Sequence, residues 1–94
     1  MFKPLNPLLH SELRLAVMSL LIGVKEAEFS FIKEKTGATS GNLSVQLSKL
    51  QEAQYIKIEK SFKDNYPLTK CSITVIGIKA FEEYVEILKS YIKK

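Results

Sequence analysis

Asn42, Ser44, Gln46, Ser48 and Lys49 bring hydrogen-bonding side chains to one short stretch, residues 38–56. Their chemistry is recognition rather than catalysis, because none is a nucleophile with a base in reach of its spacing. The stretch reads as a helix over 40–54. Leu43, Leu47 and Leu50 fall at i, i+4 and i+7, a narrow apolar stripe for a core. Thr39 or Ser40 supplies the hydroxyl that caps its first turn. An ordinary exposed helix face favours Glu, Lys and Arg. A face of Gly41, Asn42, Ser44, Gln46 and Ser48 instead lets another surface approach closely and offers it donors and acceptors. A helix entering the major groove of duplex DNA needs that combination. A solvated, Ser-rich surface with no partner would carry the same residues, so the context has to decide.

Other chemistry is thin. His10 is the only histidine and sits at the start of a helix. Cys71 alternates in phase with Ile73, which makes it a buried strand residue rather than a thiol sensor. A structural zinc site takes several His or Cys ligands, and the chain has one of each, far apart. Glu82, Glu83 and Glu86 lie on the polar side of the last helix, as solvated surface. There is no glycine-rich phosphate loop. No enzyme activity, metal or cofactor is expected.

The totals agree with a small binding protein. Ninety-four residues make one domain, with 46% hydrophobic and 26% charged residues. Fourteen basic residues against ten acidic give +4, a mild lean toward a polyanionic partner. The single cysteine suits a reducing cytoplasm. The apolar run from Leu15 to Val24 is broken by Ser19 and Gly23 and is too short for a membrane span. The N-terminus lacks signal-peptide character. A cytoplasmic protein with no membrane association is expected.

The elements that position the polar stretch follow in order. Residues 1–9 form an arm that Pro4 and Pro7 keep non-helical. A first helix, capped by Ser11, runs from Glu12 to about Ile22 and stops at Gly23. It is apolar nearly all round, which requires burial on all sides, partly by a second copy of the chain. Arg14 is its exception and points to solvent or to an acidic partner. Ala27-Glu28-Phe29 is a short strand. Residues 30–36 form a brief helix that buries Phe31 or Ile32 and ends at Gly37. Helix, short glycine turn and polar helix make a helix-turn-helix. Residues 55–60 and 69–75 alternate as two strands, with Cys71, Ile73 and Val75 on one face and a long loop at 61–68 between them. Lys57, Lys60, Lys63 and Lys70 stand against Glu59 and Asp64 on this hairpin. Those lysines can contact phosphates or simply keep an exposed edge soluble. A last helix spans 77–94. Ile78, Phe81, Val85, Leu88 and Ile92 form a core seam. Ala80, Tyr84, Ile87 and Tyr91 form a second stripe, assigned to a dimer because nothing else in the chain remains to cover it.

Leu9-His-Ser-Glu-Leu-Arg-Leu15, the segment from Gly41 to Ile56, Tyr66-Pro-Leu-Thr69 and Thr74-Val-Ile-Gly77 resemble the small winged helix-turn-helix transcriptional regulators related to the MarR and ArsR groups. The resemblance spans essentially the whole chain. It implies an α+β winged helix: a three-helix core, a β-hairpin wing and a long C-terminal dimerisation helix. It also implies a homodimeric, sequence-specific regulator of double-stranded DNA, usually a repressor. By position, the DNA-contacting residues would be Thr39, Ser40, Asn42, Ser44, Val45, Gln46 and Lys49, with Lys60, Lys63 and Lys70 in the wing. The dimer would use Leu8, Leu9, Leu13 and Val17 with Tyr84, Ile87, Leu88 and Tyr91. No small-molecule effector is identified.

Three positions depart from the family pattern. Position 45 is often basic and is Val45; position 46 is often histidine and is Gln46; and the wing tip, often Arg or Lys, is Asp64-Asn65-Tyr66. Asn42 and Gln46 would suit adenine, and Val45 a thymine methyl, so an A·T-rich site is expected. The same departures motivate a second reading, a winged-helix module that binds a protein.

Overall fold

The computed structural model describes residues 2–93. Met1 and Lys94, at the ends of the expected arm and last helix, lie outside them. The order is α1 (Glu12–Val24), β1 (Glu26–Glu28), α2 (Phe29–Thr36), α3 (Ser40–Glu52), β2 (Ile56–Lys63), β3 (Tyr66–Ile73) and α4 (Val75–Ile92). The strands form one antiparallel sheet in the order β1-β3-β2. Three helices and a β-hairpin wing, followed by a long helix, are the winged-helix order.

Leu43, Leu47 and Leu50 of α3 meet Val17, Met18 and Leu21 of α1 and Ile32 of α2 in the core, closed by Ile56 and Cys71 of the sheet. Ile32, not Phe31, is the buried residue of α2. α2 ends at Gly37 in the left-handed region, φ 72°, as its glycine predicts. Thr39 is the cap of α3: its hydroxyl accepts from the Asn42 N–H at 3.1 Å. α3 closes at Glu52, and Gln54 at φ 66° turns the chain into β2. α1 continues past Gly23 to Val24, and the chain turns only at Lys25, whose φ is 73°. Ser11 precedes α1 but makes no side-chain cap bond.

The wing differs from the expected long loop. β2 and β3 pair from Ile56↔Ile73 to Lys63↔Tyr66, leaving a two-residue turn, Asp64-Asn65. Both turn residues have positive φ, 52° and 69°, the primed geometry that matches strand twist. Pro67 does not break β3, because β1 reaches only as far as Lys70 and nothing needs an N–H from Pro67 on that side. Val75 begins α4 rather than continuing the strand face.

The expected dimer surface is corrected at three residues. Leu9 and Val17 are fully buried and Tyr84 is 3% exposed, all within the chain's own core. The second stripe of α4 has a cover that periodicity does not reveal, the N-terminal arm. Phe2 stacks on Tyr91 at 4.7 Å between ring centroids, and the Tyr91 hydroxyl donates to the Lys3 carbonyl at 2.5 Å. Asn6 donates to the Tyr55 hydroxyl at 2.9 Å, and Pro4, Leu5 and Pro7 border Ala80, Tyr84 and Ile87. Leu8 and Leu13 are half-buried against the core, as are Phe81 and Leu88 of α4. The apolar residues of α4 that stand off the core are Val75, 68% exposed, Ile76, 50%, and Ile92, 71%, with Ile78 and Val85 half-buried.

Candidate nucleic-acid interface

α3 presents three surfaces besides its buried stripe. Gly41, Val45, Ser48 and, at the far end, Glu52 point most directly away from Leu43, Leu47 and Leu50, from their spacing on the helix. Val45 is 51% exposed. Nothing lies within 4 Å of where a Cβ on Gly41 would be, so another surface can approach its backbone.

On one flank, Ser40, Ser44 and Ser48 line a groove of about 330 Å³ with Phe29, Leu47, Ile58, Lys60 and Thr69. The groove joins the polar helix to the wing. Lys60 belongs to it because β2 alternates: Ile56, Ile58, Lys60 and Phe62 share the face toward the core. Lys63 lies on the opposite face, at the tip beside Asp64. Lys70 stands apart from both. It is in register with Glu28 and Glu59 and ion-paired with Glu26 at 3.6 Å, so its charge is already answered within the sheet. Among the described residues Lys49, Lys60 and Lys63 make no ion pair.

On the other flank, sequence reasoning missed Arg14. It points neither to bulk solvent nor to an acid. Its Nε donates to the Leu8 carbonyl at 2.6 Å, and its Nη1 donates to Oε1 of Gln46. Nε2 of Gln46 then donates to Oδ1 of Asn42 at 3.0 Å. Gln46 is therefore half-buried and held, whereas Asn42 and Lys49 are exposed. Thr39, Ser40 and Ser44 are exposed as expected, with Thr39 serving also as the cap. The wing tip carries exposed aromatics rather than arginine: Phe62 at 76% and Tyr66 at 74%. Both fall in the stretch expected as a loop, and their exposure follows from strands that project beyond the core.

The remaining groups carry no reactive arrangement. His10 Nδ1 lies 2.9 Å from the Tyr84 hydroxyl, which ties the start of α1 to α4. Cys71 is fully buried, and desolvation pushes its thiol up to about 11. Among the described residues, no cluster of His, Cys, Asp and Glu could hold a metal. No helix among them is long and apolar enough to cross a membrane.

A polar helix, packed by one leucine stripe and flanked by a hairpin, is the reading head of winged-helix proteins. The family model described as a winged helix DNA-binding domain matches residues 13–92. The chain belongs to the winged helix DNA-binding domain family. An uncharacterised protein from Methanocaldococcus jannaschii is 37% identical over 81 residues, 85% of this chain and 88% of that protein. The structure of a transcriptional regulator homologue from Pyrococcus horikoshii OT3 superposes with a TM-score of 0.85 at 29% identity, covering 90% of this chain and 84% of that one. A Lactococcus lactis MarR family member, ZitR, solved in complex with DNA, shares the fold at a TM-score of 0.61 and 24% identity, over 86% of this chain and 56% of that one. A MarR family regulator from Silicibacter pomeroyi shares the fold at a TM-score of 0.70 and 13% identity, over 88% of this chain and 55% of that one.

Proposed function

We propose that this single winged-helix domain is a sequence-specific DNA-binding regulator, a repressor, acting as a homodimer. The observation that carries the reading is the outward face of α3: small and polar at Gly41, Asn42, Ser44 and Ser48, and continuous through the Lys60 groove with the wing. α3 enters the major groove, where side chains of this size reach base edges. Lys49, Lys60 and Lys63 meet phosphates. Ile78, Val85 and Ile92 of α4, with Leu13 and Leu88, supply the apolar surface between two copies. Two α3 helices about 34 Å apart would then read an inverted repeat. ZitR bound to DNA supports the choice of partner. A salt titration of duplex binding tests it. Neutralised phosphates release counterions, so affinity should fall with a log–log slope of about −0.9 per phosphate contact; a flat response removes the DNA reading.

One observation favours the second reading, a protein-binding module. Phe62 and Tyr66 expose large aromatic surface on the wing beside the acidic Asp64, and such surface suits a protein partner better than a phosphate. A variant with both aromatics replaced by serine separates the two, because phosphate-driven binding would keep its salt slope.

A further inference from the structure

Arg14, Gln46 and Asn42 form a directed chain of hydrogen bonds, and direction has a consequence for what α3 can read. Arg14 has no acceptor on its side chain, so the atom of Gln46 facing it must be the amide oxygen. That assignment turns the Gln46 nitrogen toward Asn42, whose oxygen accepts it at 3.0 Å. The Asn42 nitrogen is left facing outward. Both amide oxygens are thus engaged, and among the described residues one N–H of Gln46 and both of Asn42 are left without a partner. The guanidinium adds its unused N–H groups, and among the described residues it has no carboxylate partner. The Leu8 carbonyl, in the arm that Phe2 and Asn6 pin to Tyr91 and Tyr55, anchors the far end.

We infer that Arg14 engages the Gln46 amide oxygen, and through it that of Asn42, and so leaves their N–H groups to face a partner, so that this flank of α3 takes an acceptor-only DNA surface, a guanine edge or a phosphate, and not adenine. Adenine needs an amide that accepts from N6 while donating to N7. The Gln46 and Asn42 oxygens each already accept an N–H along the relay, so neither amide offers a free oxygen and nitrogen side by side to one base. Guanine offers N7 and O6, both acceptors, and a phosphate offers only acceptors. The A·T preference expected from Asn42 and Gln46 by residue type is therefore reversed at this flank. The inference rests on the DNA-binding reading. Arg14 is a positioning residue whose guanidinium also adds donors of its own.

The test has one arm without DNA and one with it. In the free protein, side-chain amide and arginine Nε–H resonances are recorded for wild type, Arg14→Met and Arg14→Lys, with melting curves to verify folding. The expected result is a shift of the Gln46 and Asn42 amide signals in both variants; unshifted signals overturn the relay. Each protein is then selected against random duplexes, and its affinity is measured over a salt series. If the partner is a guanine edge, wild type enriches guanine at one half-site position. Arg14→Met then relaxes that position toward adenine by roughly tenfold. If it is a phosphate, Arg14→Met weakens all sequences alike and lowers the salt slope by about 0.9. Wild-type enrichment of adenine at the position that Gln46→Ala relaxes, or no change in either quantity with Arg14→Met, overturns the inference and leaves the regulator reading standing. Absence of any salt-dependent duplex binding by wild type would instead sink the regulator reading itself.

Discussion

Gly77, in the first turn of α4, sits against the carbonyl of Tyr55 so closely that a Cβ on it would lie 2.1 Å from that oxygen. The same oxygen accepts the Thr74 N–H at 3.0 Å and the Thr74 hydroxyl at 3.1 Å. The start of α4 is thereby locked to the chain between α3 and β2. Backbone cannot move aside as a flexible side chain can, so Gly77→Ala should lower stability by about 1–3 kcal/mol or more. A urea unfolding midpoint measures it.

Gly41→Ala is the informative contrast. Its Cβ would meet nothing, and alanine is the better helix former. The free protein should gain roughly 0.5–1 kcal/mol. DNA affinity should fall, because the added methyl stands on the face that approaches the groove. Parallel unfolding and duplex-binding measurements check both signs.

The wing lysines should separate by partner. Lys60, in the α3 groove with no carboxylate against it, should weaken all duplexes alike when replaced by alanine and lower the salt slope by about 0.9. Lys63→Ala should behave in the same way. Lys70→Ala should change binding little, because Glu26, Glu28 and Glu59 already surround that charge. Affinity over a salt series for the three variants reads this out.

Cys71 should be inert while the protein is folded. Burial raises its thiol from 9.0 to about 11, so the folded state favours the protonated form. Stability from this group is unchanged below about pH 9 and falls as pH rises from there toward 11, where the unfolded chain releases its proton first. Thiol labelling at pH 8 should be slow in the native protein and fast in denaturant.

What the sequence disclosed and concealed divides along physical lines. The α3 stripe of Leu43, Leu47 and Leu50 was legible because one narrow helical period admits one buried face. The glycine end of α2 was legible because only the left-handed region explains it. The α4 phase was not: apolar residues fill two adjacent stripes, and the arm that stacks on Tyr91 and borders Ile87 lies about eighty residues away. Tyr84 was therefore placed outside a core that it completes. The short wing turn was hidden by Pro67, whose missing N–H matters only where a third strand pairs. Of the site, the residue types of α3 were readable and their hydrogen bonds were not. Arg14 and Gln46 are thirty-two residues apart, beyond any local spacing rule.

The central claim is that α3, paired across two copies, reads DNA sequence. Selection of the purified protein against random duplexes at near-physiological salt, followed by sequencing, tests it most directly. The account predicts an enriched inverted repeat with half-sites about ten base pairs apart. Recovery of no preferred sequence, with binding indifferent to salt, would contradict it.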